Sequence, residues 1–158
     1  MQVGDRTRLQ EFRCARQFWY EREVEAVIKG ELYEHAIAGR ARGLMFLAGD
    51  TLAGMAYHSP KRWPLRVMGS KLLALGLELN YQGGTLVDGS LISDFVLRGT
   101  IRDGLEQTRE GPWLALAAPE NNRSAALLRR NAFREVGLSL GRSRERDEDV
   151  DYVNWVLP

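Results

Sequence analysis

The sequence has a single cysteine, Cys14, and only two histidines among its 158 residues. One thiol cannot form a disulfide within the chain, and no cysteine–histidine cluster has the spacing of a metal site. A nucleophilic cysteine needs a neighbouring base, and none stands close to Cys14 in the sequence. We therefore interpret Cys14 as a packed thiol and predict no metal.

The sequence also lacks a long apolar run and a strong net charge. No apolar stretch approaches the roughly 20 residues that cross a bilayer, and the N-terminus lacks the pattern of a signal peptide. The formal net charge is +1, so the charge as a whole does not attract nucleic acid or a membrane. These absences predict a cytoplasmic protein that does not associate with membranes.

The composition that remains is that of a globular domain. Hydrophobic residues make up 44% of the chain and charged residues 27%, which is ordinary for soluble domains. A chain of this length can bury about two-thirds of its unfolded surface. We predict one domain over residues 1–158.

Apolar residues alternate between strand and helix periods along the chain. The N-terminal segment alternates with a period near two, which predicts a strand ending near Cys14. A helix follows, which Gly30 is expected to break or bend and Gly39 to end. The predicted strands after it are 43–48, 51–58, 72–79, 113–117, 133–140 and 151–158, the predicted helices are 17–38, 90–109 and 122–131, and the predicted loops are 59–66 and 142–151.

A glycine-rich segment between a predicted strand and a predicted helix is the first candidate site. A helix N-terminus offers unpaired backbone N–H groups and the positive end of the helix dipole. Glycines let an anion approach those groups closely, so a phosphate or pyrophosphate fits there. Taken alone, the glycines are equally explained by loop geometry. The segment contains Gln82, Gly83, Gly84, Thr85, Gly89 and Ser90.

The order of motifs over residues 43–140 resembles the core of the GNAT superfamily of acyl-CoA-dependent N-acetyltransferases. Gln82-Gly83 and Gly89-Ser90 are similar to the two ends of the family's phosphate loop, Gln/Arg-x-x-Gly-x-Gly/Ala. The interval between them is longer than in the family, and Asp88 adds a negative charge to it.

A second segment, from Asn121 to Phe133, is similar to the family motif Asn-x-x-Ser/Ala-x-x-Leu-(Tyr/Leu)-x-x-x-Gly-Phe. Ala132 replaces the usual glycine. Leu128 stands where many members have the tyrosine that protonates the departing CoA thiolate. The serine at Ser124 and the missing tyrosine resemble the Rim-type branch.

The resemblance implies an α/β GNAT fold. Its central sheet would be mixed and mostly antiparallel, with about six to seven strands flanked by helices and a V-shaped splay between strands 72–79 and 113–117. Acetyl-CoA would be the co-substrate, with its pantetheine in the splay. The residues implied in binding it are Leu77 and Leu79 through their backbones, Asn121, and the loop residues Gln82, Gly83, Gly84, Thr85, Gly89 and Ser90.

Glu78 and Ser124 are the predicted catalytic residues. An acceptor amine is protonated at neutral pH, so a group must take a proton before the amine attacks. Glu78 is the only acid of its strand, and the alternative is an exposed strand carboxylate. If the Rim-type likeness holds, the Ser124 hydroxyl protonates the thiolate; otherwise it is a helix-surface serine.

Two further sets of residues keep two interpretations. His58 is either a base or acceptor-site residue or a surface histidine. The acids of helix 17–38 either line the acceptor side or form a solvated helix face, which we favour. These acids are Glu21, Glu23, Glu25, Glu31 and Glu34.

The sequence therefore predicts an N-acetyltransferase that moves an acetyl group from acetyl-CoA to an amine acceptor by direct attack in a ternary complex. One alternative is a GNAT-fold module with weak or no catalysis that acts through partner binding. Another is a toxin-type enzyme that acetylates aminoacyl-tRNA. A nucleotide-binding loop is disfavoured because it lacks the P-loop lysine and the dinucleotide spacing. The sequence leaves open whether the chain forms a homodimer.

Overall fold

The computed structural model describes residues 5–107 and 110–158. The helices in this part of the chain are α1 Arg6–Glu11, α2 Trp19–Lys29, α3 Glu31–Ile37, α4 Ile92–Glu106 and α5 Asn122–Arg130. The strands are β1 Arg42–Ala48, β2 Thr51–Arg62, β3 Met68–Leu77, β4 Trp113–Ala117, β5 Arg134–Ser143 and β6 Glu148–Leu157. Short 3₁₀ turns span Pro64–Arg66 and Leu79–Tyr81. No helix within these ranges is long and apolar enough to span a bilayer.

The six described strands form one sheet in the order β1-β2-β3-β4-β6-β5. Only β3 and β4 run parallel, and every other neighbouring pair is antiparallel. The parallel pair is joined by the crossover helix α4, as a parallel connection requires. The predicted fold class, a mixed and mostly antiparallel sheet flanked by helices, is confirmed.

The two parallel strands separate soon after they begin. Ser70 pairs with Trp113 and Lys71 with Leu114, and these are the only two pairs between β3 and β4. The strands nevertheless continue to Leu77 and Ala117. A wedge therefore opens between their C-terminal ends, as the predicted splay required.

Helices cover both faces of the sheet. The Tyr57 hydroxyl donates to the carbonyl of Ile28 in α2 at 3.2 Å. The next side chain, His58, contacts Asp103 of α4 on the other face. One core cluster joins α1–α3 to the first strands, and a second joins α4 and α5 to β3, β4 and β6. The wedge lies where these two clusters meet along β3.

The predicted first strand is wrong, because the segment forms α1. Leu9 and Phe12 are both 1% exposed and lie three residues apart, so the buried positions follow a helical period. The polar residues of this segment alternate with less polar ones, and this alternation is the pattern that predicts a strand. Residues 1–4, the start of that prediction, lie outside the described part of the chain. The break predicted at Gly30 is confirmed, since α2 ends and α3 begins there.

The predicted loop 59–66 is also wrong over its first half, since β2 continues through Pro60 to Arg62. β1 begins at Arg42, opposite His58, so the later part of β2 has β3 as a neighbour on one side only. A proline, which has no N–H to donate, is tolerated on such an edge.

The predicted loop 142–151 is much shorter than expected. β5 and β6 pair up to Ser143 and Glu148, which leaves a turn of four residues, 144–147. The alternating charges become partners across the hairpin, as when Arg142 pairs with Asp147 at 2.6 Å. The end of the predicted helix 90–109 falls partly on residues 108 and 109, which lie outside the described chain; α4 itself ends at Glu106.

Candidate active site

A cavity of about 1050 Å³ lies at the C-terminal end of β3, on the part of the strand that no longer pairs with β4. The strand contributes Leu75 to Leu77, followed by Leu79. The other walls are α5, the start of α4, and the segment that leads from Arg13 into α2. The size of this cavity and its position beside the separated end of β3 make it the candidate site.

The α5 wall contains two of the predicted site residues. The side-chain oxygen of Asn121 accepts the backbone N–H of Ser124 at 3.0 Å and so caps the helix. Ser124 is half-buried and, like Asn121, lines the cavity. Leu128, at the position of the family's tyrosine, is 3% exposed in the core and is not among the lining residues.

On the β3 wall the observed strand ends at Leu77, two residues before the predicted end at Leu79. Glu78 leaves the strand, and its carboxylate accepts the backbone N–H of Asn80 at 2.8 Å. Glu78 is not among the residues that line the cavity, whereas Leu77 and Leu79 both are. The N–H of Leu79 donates to the carbonyl of Arg13 at 2.7 Å, so this group is already paired.

The glycine loop divides into a part that faces the cavity and a part that faces away. Gln82 and Gly83 line the cavity, and Gly83 has a positive φ of 73°, which favours glycine. Residues 85–91 form a small hairpin in which Thr85 bridges Leu91. The extra loop length is therefore taken up by this hairpin. Gly84, Thr85, Gly89 and Ser90 are not among the lining residues.

Asp88 lies at the tip of this hairpin. Its carboxylate accepts the N–H of Ser90 at 2.9 Å and the hydroxyl of Ser90 at 2.6 Å. These hydrogen bonds hold the pKa of Asp88 below its ordinary value. Asp88 is not among the residues that line the cavity. The sequence pattern missed Leu91 and Ser93 of the α4 start, which do line it.

Glu21 is the only carboxylate among the described residues that line the cavity. Its Oε2 accepts the backbone N–H groups of Gln17 at 2.9 Å and Phe18 at 3.2 Å. Its Oε1 lies 3.6 Å from the guanidinium of Arg123. Sequence periodicity could not separate Glu21 from the other acids of its helix.

Three of the other four acids are bonded within the fold, and Glu31 is one of them because it pairs with Arg144. Glu23 accepts the Ser143 hydroxyl at 3.1 Å and the Arg144 N–H at 3.0 Å. Glu25 is buried and accepts the N–H of Cys14 and the Nζ of Lys29. The solvated-face interpretation is therefore wrong for Glu25.

Cys14 is a buried, packed thiol, as the sequence indicated. The structure adds that it lies on the cavity wall. Burial is the main reason that its pKa is raised from 9.0 to about 12, and the charges of Glu25 and Glu21 add to the shift. The sulfur is consequently protonated at neutral pH and does not act as a nucleophile there.

Four arginines line the cavity: Arg13, Arg16, Arg123 and Arg130. Arg130 also reaches Asp94 in the first turn of α4 at 3.2 Å. Set against the one carboxylate of Glu21, these cations give the cavity a positive potential that attracts anions. No group of three or more acids, histidines or cysteines in the described ranges is arranged to hold a metal ion.

His58 is neither at the surface nor in the cavity. Its side chain is fully buried, and its Nε2 lies 2.8 Å from Asp103 Oδ2. Arg42 donates two hydrogen bonds of 2.7 Å to the same carboxylate. Burial alone would raise the pKa of Asp103, but the hydrogen bonds from Arg42 and His58 lower it below its ordinary value. This cluster fastens α4 to β1 and β2.

No family model matches the chain, and no curated protein matches it. Solved structures do. A ribosomal-protein-alanine N-acetyltransferase from Brucella melitensis has 18% identity and a TM-score of 0.70, with 99% of this chain and 96% of that chain covered. A ribosomal-protein alanine N-acetyltransferase from Escherichia coli has 18% identity and a TM-score of 0.61, with 100% and 90% covered.

A Bacillus subtilis acetyltransferase in complex with CoA has 16% identity and a TM-score of 0.62, and 82% of each chain is covered. These similarities establish the fold of the chain as that of the GNAT acetyltransferases. They confirm the resemblance that the two sequence motifs indicated.

Proposed function

We propose that the chain is an N-acetyltransferase that uses acetyl-CoA as the donor and an amine as the acceptor. The observation that carries the proposal is the arginine-lined cavity of about 1050 Å³ at the end of β3, where that strand has separated from β4 in a GNAT fold. Structural neighbours that are acetyltransferases, one of them in complex with CoA, support it.

The residues of the cavity fit a CoA thioester. Its phosphates are polyanionic, and Gln82, Gly83 and the N-terminus of α4 adjoin the arginines that would attract them. The pantetheine arm would lie along Leu77 and Leu79. Because Asn121 Oδ1 is used by the α5 cap, its amide NH₂ is the group left to donate to a pantetheine carbonyl.

In the proposed reaction the acceptor nitrogen attacks the thioester carbonyl directly, and the carbon–sulfur bond then breaks. The main catalytic contribution is positioning of the two reactants, together with polarisation of the carbonyl by backbone N–H groups. Ser124 is proposed to protonate the departing thiolate. Glu78 is proposed to take the proton of the acceptor, and because its carboxylate lies outside the cavity lining this transfer needs a water.

Calorimetric titration with acetyl-CoA, with free CoA alongside, tests donor binding. We expect micromolar binding of both, because they share the phosphates that the arginines attract. No binding at millimolar donor would contradict the proposal and favour a module that acts through a protein partner.

For a protein that binds the donor, an amine screen by thiol release tests transfer. Ser124→Ala and Glu78→Gln are each expected to lower kcat by about 100-fold or more and to leave acetyl-CoA binding unchanged. Ser139→Ala is the control, because Ser139 lies on β5 and bonds Asn154. Full activity of both test variants would remove these two residues from the mechanism.

A further inference from the structure

We propose that the free edge of β5 is a dimer interface, at which β5 of a second copy of this chain pairs antiparallel and joins the two sheets into one. No residue of β5 is among those that line the cavity. The interface is therefore separate from the candidate active site, and it does not depend on the acetyltransferase function.

β5 lies at the edge of the described sheet and has β6 as its strand neighbour there. Three of its apolar side chains face solvent: Val136, Leu138 and Leu140 are 60%, 62% and 74% exposed. An edge strand offers unpaired N–H and C=O groups, which proteins commonly protect with lysine or proline. β5 contains neither residue type, so a second strand can pair with it.

The pairing with β6 shows which side chains of β5 share a face. Directly paired residues have their side chains on the same face of a sheet, and Trp155 packs on the α5 face. Its partner on β5 is Glu135, and every second residue of β6 before Trp155 pairs with Leu138, Leu140 and Arg142 in turn. On the α5 face, β5 therefore presents an acid, two leucines and an arginine, in that order.

The other face of β5 leaves room for a neighbouring strand. Gly137, Ser139 and Gly141 occupy this face in the middle of the strand, so a second copy meets no bulky side chain there. The pairing with β6 skips Val136, which is the extra residue of a bulge. The regular part of the strand spans residues 137–143.

The order of side chains on the α5 face is self-complementary. Two identical strands that pair antiparallel are related by a two-fold axis, which both meet at the same residue. With the axis at Ser139, Leu138 stands opposite Leu140 of the second copy, and Leu140 opposite its Leu138. Arg142 then stands opposite the bulge of the second copy, where the side chain of Glu135 is on the same face. The interface thus contains two leucine pairs and two arginine–glutamate pairs.

Neighbouring registers lose this complementarity. An axis at Leu140 would set Leu138 opposite Arg142, and an axis at Leu138 would set Leu140 opposite Glu135 at the bulge. Each of these shifts places a charged group against a leucine, and like polarity across the pair is what stabilises two strands. The side-chain order therefore favours the axis at Ser139.

The two charged side chains are free to contact a second copy. Glu135 lies 3.6 Å from Arg129, and the two side chains are 52% and 62% exposed, so this surface pair holds Glu135 only weakly. Arg142 donates to Asp147 at 2.6 Å, and its guanidinium has five N–H donors, so others are left for Glu135. Pairing of the two β5 edges uses both of them, which closes the assembly at two copies.

Sedimentation velocity of the full chain over about a hundredfold range of concentration tests the dimer. We expect a dimer fraction that rises with concentration, because the paired segment is short and the interface small. Leu140→Lys is expected to raise the dimer Kd at least about 10-fold, since it sets a lysine opposite Leu138. The control is Leu47→Lys, because Leu47 is an exposed leucine on the other edge strand, β1. Acetyl-CoA binding should not change in either variant.

A charge exchange tests the two-fold arrangement. Arg142→Glu alone is expected to raise the dimer Kd about 10-fold, because it sets an acid against Glu135 of the second copy at both ends of the interface. Adding Glu135→Arg to this variant is expected to restore most of the affinity. Failure of the double variant to recover would contradict the arrangement with its axis at Ser139.

Cysteine cross-linking tests the position of the axis directly. Ser139→Cys places a thiol beside its own copy, so oxidation is expected to give a disulfide-linked dimer. Arg142→Cys is the control, because its two copies would lie about 20 Å apart along the paired strands. Cys14 is buried and does not compete.

Three outcomes would overturn the proposal. The first is a wild type that stays monomeric at the highest concentration, which would leave the β5 edge to a strand of another protein. The second is a dimer that Leu140→Lys does not weaken more than Leu47→Lys does. The third is cross-linking of Arg142→Cys as readily as of Ser139→Cys.

Discussion

Two carboxylates of this molecule, Asp103 and Glu21, are equally withdrawn from solvent but are held in different ways. Their side chains are 13% and 12% exposed, respectively. Asp103 is satisfied by Arg42 and by a buried His58. Glu21, on the cavity wall, uses one oxygen for two backbone amides, and its other oxygen lies 3.6 Å from Arg123. Two carboxylates of equal burial therefore differ in their partners: one is held by a histidine and an arginine of the core, and the other by backbone amides and an exposed arginine.

The same contrast explains where each acid acts. The Asp103 cluster lies on the α4 face of the sheet, outside the cavity lining, and its lowered pKa reflects bonds to other residues of the chain. Burial is the main reason that the pKa values of the cavity residues Tyr20 and Cys14 are raised, and the charge of Glu21 adds to both shifts. Three experiments test whether the two carboxylates differ in this way.

The largest expected effect is on the reactivity of Cys14, which reports how far the fold shields the cavity wall that Cys14 shares with Glu21. Its pKa is raised from 9.0 to about 12, so the thiolate fraction near pH 8 falls about a thousandfold. We expect alkylation by iodoacetamide to be slower by about that factor in the native chain than in urea. Intact-mass measurement is unambiguous because Cys14 is the only cysteine.

Glu21→Gln is expected to accelerate the native alkylation several-fold at most, because burial is the larger cause. Asp103→Ala should leave the native rate unchanged under conditions where the variant stays folded. Alkylation of the native wild type at the rate of the unfolded chain would show that the cavity wall around Cys14 and Glu21 is open to solvent. Asp103 and Glu21 could then not be compared as equally buried carboxylates.

The second effect is on stability. Asp103→Ala leaves the buried His58 without its carboxylate and is expected to lower the free energy of unfolding by about 1–3 kcal/mol. The Arg42 side chain is 47% exposed, so loss of the Arg42–Asp103 ion pair adds little to the decrease in unfolding free energy. Urea denaturation measures the change, and Glu34→Gln is the control.

The stability contribution of Asp103 also depends on pH in a defined direction. Its pKa in the folded state is lower than in the unfolded chain, so the contribution is fully present above about pH 4 and is lost as the pH falls through the folded pKa. Asp103→Ala should therefore lose less stability than wild type on acidification from pH 5 to pH 2, roughly the range in which carboxylates titrate. If the unfolding free energies of the two proteins fell equally between about pH 5 and pH 2, the role assigned to Asp103 would be contradicted.

The smallest effect is expected for the ion pair of Glu21. Arg123→Ala removes an arginine that is 72% exposed and 3.6 Å from Glu21, and we expect a change in unfolding free energy below about 0.5 kcal/mol. A loss as large as that of Asp103→Ala would mean that the Glu21–Arg123 pair is structural. Thermal unfolding of both variants under the same conditions gives the comparison.

Local signals explain what the sequence could predict. Trp113–Ala117 is a continuous apolar run that begins after Gly111-Pro112, and the structure has the strand at those bounds. Asn121 precedes a helical pattern, and it does cap α5. The splay followed from the resemblance to a known fold, because no local pattern reports how far two strands stay paired.

The site depends on contacts that periodicity does not contain. The sequence does not show that His58 contacts Asp103, because Asp103 lies 45 residues later in the chain. Glu21 shares a helix with acids that have the same spacing signals, and only the fold determines which of them faces the cavity. For Glu78 the decisive fact is the end of β3 at Leu77, a boundary that the leucine alternation extended too far.

The short pairing between β3 and β4 has a mechanical consequence. β2 and β3 share nine residue pairs and β4 and β6 share five, whereas β3 and β4 share two. The sheet therefore consists of two well-paired parts, β1-β2-β3 and β4-β6-β5, joined by only two residue pairs. The angle between these two parts sets the width of the wedge. Away from this junction, the indole N–H of Trp19 in α2 donates at 2.7 Å to the carboxylate of Glu120, a residue that follows β4. Glu23 of α2 adds bonds to the Ser143 hydroxyl and the Arg144 N–H at the far end of β5. Together these contacts join α2 to the part of the sheet that contains β4, β6 and β5, and so they limit how far the wedge can open.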